Sequence, residues 1–221
     1  MVNRTLRFTL GVLAALSLAG MYGGWASVSV DELPGYSVAG QPFNLSFVVR
    51  QHGFSPMNNV SPRVEARMRG AEDVDVPGIR GDGPGRYAAR LILPRAGEWT
   101  ITIHSGWGTS RLRLLPLTVI ERGAAAPRAM SDAERGRRLF AAKGCVTCHV
   151  HRDVEGSGDI AVGPDLTGKH YAPEYLQRWL ADPAAVKGND VRMPNLELKG
   201  PEIAALTAFI NGEQIGSRSR D

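Results

Sequence analysis

The chain has 221 residues, 43% of them hydrophobic and 22% charged, with a net charge of +4. That length suits two small domains or one large one. The charge is mild, and no Lys/Arg run or aromatic-interleaved basic patch occurs, which argues against nucleic-acid binding. The 26 glycines and 14 prolines predict many turns and a β-rich portion.

At the N-terminus Arg4 and Arg7 precede an uncharged run from Phe8 to Val30. Basic residues ahead of an apolar segment mark export, with the remainder of the chain translocated. Small residues at Ser17/Ala19 or Gly24/Ala26 are suited to a peptidase. The run is also long enough to span a bilayer, which takes about 20 residues. Residues 1–30 therefore read as an export signal or a membrane anchor, the anchor being favoured. Either way the body of the protein is expected outside the cytoplasm.

From 36 to 120 the pattern has period two. In "QPFNLSFVVR" Phe43, Leu45, Phe47 and Val49 share one face, and in "GEWTITIHSG" Trp99, Ile101 and Ile103 do. "GRYAARLILPRAG", "RLRLLPLTVI" and the weaker "VSPRVEARM" supply further strands. Turn signals at "RGDGPG", "PRAG" and "SGWG" separate them. Short alternating strands without a helical period between them predict an antiparallel β-sandwich.

Residues 121–130, centred on "GAAAPRA", read as a linker, and after it the period becomes helical. Ser131 with Glu134 is a capping box opening a helix through Phe140. Pro173 starts a second helix through Leu180, which Pro183 ends, and Pro201 starts a third, with Gly212 as its stop. The change of period predicts two halves that fold independently, the sandwich serving as a docking or spacing module.

Both cysteines and two of the five histidines fall in "KGCVTCHVHRD", Lys143 to Asp153. A thioredoxin-type C-x-x-C follows a strand in a βαβ setting, which is lacking here. Structural zinc needs four ligands, commonly from two such pairs, and there is one. What remains is C-x-x-C-H, the signature of c-type haem attachment. Cys145 and Cys148 are then the thioether positions and His149 the iron ligand. Met193, the only methionine after this motif, is the candidate sixth ligand, with His170 as its rival. His151 reads as a surface residue and Trp179 as packing rather than an electron conduit.

Residues from about 128 to 215 resemble a class I cytochrome c of the small bacterial kind. The likeness is carried by "GRRLF", "GCVTCH", "VGPDLTG", "YLQRWLADP", "MPN" and "LTAFI", in the family's order. It implies an all-α cytochrome c domain over 131–215, with one covalent haem c in a crevice enclosed by three main helices. It further implies that the Pro164 carbonyl orients His149, that Met193 binds from the opposite face, and that Gly136 lets the first helix cross the last near Phe209. A ligating histidine generally has such an acceptor behind it, and a Met/His pair raises the potential of haem iron.

Residues 36–120 resemble the extracytoplasmic immunoglobulin-like domains called YtkA-like or FixH-like, through "FVVRQHG" and "PGRYAARLILPRAGEWTITI". Some of those relatives are linked to copper handling. His52, Met57, Met68 and His104 have the ligand chemistry for it, but they are scattered and form no tight cluster in the sequence. The expectation is an electron carrier with no substrate chemistry, working with a redox protein or a membrane respiratory or photosynthetic complex. The alternative is a docking subunit or copper-handling protein with an accessory haem domain; a haem enzyme or gas sensor would need an open iron position, which Met193 argues against.

Overall fold

The computed structural model describes residues 24–156, 160, 162–188 and 190–212. The export or anchor segment therefore lies outside the described residues up to position 23. Its last part does not continue a helix: Ala26–Val30 is strand β1. Ala26, Val28 and Val30 are buried facing the sandwich core; on the other side Ser29 is buried too and Ser27 is partly covered. "ASVSV" thus alternates apolar and polar residues with a period of two, which its lack of charge hid within the apolar run. No helix among the described residues is long and apolar enough to cross a membrane.

Ten further strands follow. They are β2 (Ser37–Val38), β3 (Pro42–Gln51), β4 (Ser55–Pro56), β5 (Arg63–Arg67), β6 (Val74–Pro77), β7 (Ile79–Arg80), β8 (Arg86–Ile92), β9 (Gly97–His104), β10 (Arg111–Arg113) and β11 (Leu117–Ile120). One sheet has the order β1-β3-β8-β7, with β4 on β3. The other runs β2-β11-β9-β5-β6, with β10 also on β9. Pairing is antiparallel except between β2 and β11. The order β1-β3-β8-β7 over β11-β9-β5 is that of the ABED and GFC sheets of an immunoglobulin-like sandwich. "RLRLLPLTVI", expected as one strand, is two, because Pro116 has no N–H to continue the ladder. The core is built by the alternation itself: Leu45, Phe47 and Val49 of β3 and Trp99, Ile101 and Ile103 of β9 are fully buried. Trp99 also satisfies its indole N–H on the Arg95 carbonyl, 2.9 Å away.

The helical half holds α1 (Asp132–Ala142), α2 (Cys145–Cys148), α3 (Pro173–Ala181), α4 (Pro183–Lys187) and α5 (Gly200–Ile210). Both halves of the capping box form at α1: the Ser131 hydroxyl accepts from Glu134 N–H at 3.2 Å, and the Glu134 carboxylate accepts from Ser131 N–H at 2.8 Å. Pro183 does end α3, yet it also begins α4, whose first N–H groups donate to Asp182 Oδ1. Helices α1 and α5 cross at Gly136, where a Cβ would collide with the Ala205 carbonyl and lie 2.7 Å from Phe209 Cβ. That close crossing puts Phe140 and Phe209 edge-on, with ring centroids 5.7 Å apart.

Candidate functional site

The short helix α2 presents Cys145 and Cys148 three positions apart, so both thiols project to the same side of one turn. Gly144 precedes it in the left-handed conformation, φ 78°, which is costly for residues with a Cβ. His149 leaves the turn in extended backbone while its N–H still donates to the Cys145 carbonyl at 2.9 Å. The imidazole is thereby swung out of the helix.

The segment "VGPDLTG" is tied along this motif by backbone bonds. Gly163 N–H donates to Cys148 O at 3.0 Å, and Leu166 N–H to Val150 O at 2.9 Å. This brings the Pro164 carbonyl to 2.9 Å from His149 Nδ1. A carbonyl can only accept, so Nδ1 carries the proton and Nε2 is left with a free lone pair. Gly163 makes the arrangement possible: a Cβ there would sit 2.5 Å from the imidazole. Its role went unnoticed in the sequence, where it is only the residue before Pro164.

Met193 lies on the connection between α4 and α5, and its sulfur accepts the Trp179 indole N–H at 2.9 Å. Trp179 is thus more than packing, since it fixes the thioether. His149, Met193 and both cysteines line one cavity of about 680 Å³. That is within the range of about 300–1,000 Å³ usual for small-molecule and cofactor sites. Leu176, Leu180, Leu206 and Ile210 give it apolar walls. Burial pushes the Cys145 thiol up to about 12, and the Cys148 thiol is also raised by burial. A reactive dithiol needs the opposite shift, toward thiolate.

The other candidates are placed elsewhere. The His170 ring is 3.3 Å from the Asn211 carbonyl and does not line the cavity. His151 is a correction: it is 4% exposed, not a surface residue. Its ring lies 4.3 Å from that of Phe209 and 5.7 Å from that of Phe140, and burial lowers its pKa. In the sandwich, Met68 packs at Gly97 and His104 closes the far end of the same strand, β9, while His52 turns in the other sheet. The four possible copper ligands are not brought together. Among the described residues no three His, Cys, Asp or Glu side chains gather in a metal-binding group. The donor set that does converge, two thiols, an imidazole and a thioether around an apolar cavity, fits a covalently held haem.

Residues 131–210 match the family described as "Cytochrome C oxidase, cbb3-type, subunit III". This region is a cytochrome c-like domain. Comparison with curated proteins finds no match. Among solved structures, the Lin-41 filamin domain is 12% identical with a TM-score of 0.38, over 46% of this chain and 100% of that one. The superoxide reductase (neelaredoxin) from Ignicoccus hospitalis is 17% identical with a TM-score of 0.30, over 44% of this chain and 82% of that one. Domains 4 and 5 of the S-layer protein SbsC are 16% identical with a TM-score of 0.31, over 42% and 51%. Likeness at this level adds nothing to the strand order already described.

Proposed function

We propose that the chain is an extracytoplasmic monohaem cytochrome c that transfers single electrons, and that it carries no substrate chemistry. The observation that carries the reading is the shared cavity, with a buttressed imidazole, a thioether and two thiols around it. Bound haem supplies one-electron chemistry at its iron, with a potential raised by Met/His ligation. Cys145 and Cys148 hold the group covalently. His149 would ligate through Nε2, kept in that tautomer by the Pro164 carbonyl. Met193, on a side chain positioned by Trp179, would supply the thioether ligand. With both His149 and Met193 available as ligands, the site would favour electron transfer over catalysis or gas sensing.

Export ahead of haem attachment follows from the basic and apolar N-terminal segment, retained as an anchor in this reading. The partner is a redox protein or a membrane electron-transfer complex. The family's printed description, an oxidase subunit, supports the second. The sandwich belongs, in this reading, with the YtkA-like or FixH-like modules.

The test is expression with a c-type maturation system. Wild type is expected to carry one haem that resists acid-acetone extraction. Cys145→Ala combined with Cys148→Ala is expected to lose it entirely. Full retention in the double variant ends the cytochrome reading.

A further inference from the structure

The two halves do not sit apart on their linker. Strand β1 turns Ala26, Val28 and Val30 into the sandwich core, which leaves Ser27 and Ser29 on the opposite face. At the edge of an antiparallel sheet that face normally meets water. Here both serines line the same cavity as Cys145, His149 and Met193, and so does Gly53. The contact is close at the backbone. A Cβ on Gly144, next to the first cysteine, would collide with the Val28 carbonyl. A Cβ on Gly53 would lie 3.5 Å from Pro194, next to Met193.

Polar ties lock this apposition. The Lys143 ammonium is buried, donating to the Asp31 carbonyl at 2.7 Å and pairing with Glu202 of α5 at 2.7 Å. One side chain therefore joins the end of β1, the start of the cysteine motif and the last helix. Lys199 pairs with Glu32 at 2.5 Å, and Arg86 bridges Asp31 and Glu197 at the rim. Behind the wall the Arg50 guanidinium donates to Ser29 Oγ at 2.7 Å, fixing that hydroxyl.

We infer that the β-sandwich is a wall of the haem crevice rather than a spacer: β1, through Ser27 and Ser29, and the turn at Gly53 close the side of the pocket beside Cys145 and Met193. The inference rests on the haem reading above. It replaces the expectation of two independent halves with a cofactor site that neither half completes alone. A redox partner must then approach the pocket from a side other than β1.

The iron itself is the probe. In the full-length holoprotein, amide resonances of Ser27, Ser29 and Gly53 are compared between the oxidised and reduced states. If they form the wall, the paramagnetic ferric iron shifts them strongly, whereas Thr100, on the outward face of β9, stays unmoved. Shifts no larger than that of Thr100 overturn the wall while leaving the haem assignment intact. A wild-type protein without acid-acetone-resistant haem overturns both. The second arm is Ser27→Trp, which places bulk on the crevice side without touching the sandwich core. It is expected to change the reduction potential, with Ser27→Ala and Thr100→Trp close to wild type. An unchanged potential in a folded, haem-bearing Ser27→Trp protein overturns the wall.

Discussion

The two halves of the molecule bury apolar side chains to different ends. The sandwich interdigitates Phe47, Leu45, Trp99, Ile101 and Ile103 at zero exposure, so its core is closed by its own residues. The helical half has comparable buried residues at the crossing of α1 and α5, Phe140, Leu206 and Phe209 among them. Its other helices stand around a cavity of about 680 Å³ instead. A domain of roughly this size has little core to spare. One half is therefore organised by side-chain packing, and the other around an apolar cavity lined by Cys145, Cys148, His149 and Met193.

The strongest way to break that contrast is Trp99→Ala, which removes the largest buried side chain of the sandwich. The expected cost is about 3–5 kcal/mol, read as a lower melting temperature of the β signal in circular dichroism. Acid-acetone-resistant haem should persist, because no thioether or axial position is touched. If the helical signal melts together with the β signal in the holoprotein, the two halves are one cooperative unit, as a shared crevice wall requires.

A somewhat smaller effect is expected at Gly136→Ala. The added methyl collides with the Ala205 carbonyl, so α1 and α5 must separate. Overpacking of this kind costs about 1–3 kcal/mol. It should lower the stability of the holoprotein, measured as the denaturant midpoint of its haem absorbance. A midpoint equal to wild type would mean that the crossing is looser than the structure places it.

The smallest effect lies at the start of α1. Ser131→Ala removes the cap and should cost about 1 kcal/mol. Arg128 first, and then the Ser131 backbone N–H, hold the Glu134 carboxyl down at about 2, below its ordinary 4.5. A carboxyl with a lowered folded-state pKa stabilises the fold above its unfolded value and loses that contribution as pH falls through the folded one. The cap should therefore act fully above pH of about 4.5 and fade toward about 2. The difference in melting between wild type and Glu134→Gln should close over that window. A difference that persists at the acid end would show that the charge of Glu134 is not what matters.

By itself the sequence determined whatever is written in short-range period and spacing. Alternation in "GEWTITIH" and "FNLSFVVR" specified strands with a chosen inward face, and Ser131 with Glu134 specified where a helix begins. Cys145, Cys148 and His149 are contiguous, so one turn brings them together whatever the rest of the chain does. Strand β1 was hidden because a lack of charge says "apolar" before it says "alternating". Only the tertiary structure decided the relations between residues far apart in the chain. His151 is enclosed because α5 returns Phe209 to it, and Trp179 reaches Met193 across the turn through α4. Ser27, Ser29 and Gly53 line the cavity of the cysteine motif only because the sandwich docks there through Lys143, Lys199 and Arg86. The physical reason is common to all three. A side chain's local pattern fixes which way it points from its own element, but its burial and its partners depend on which distant surface arrives opposite.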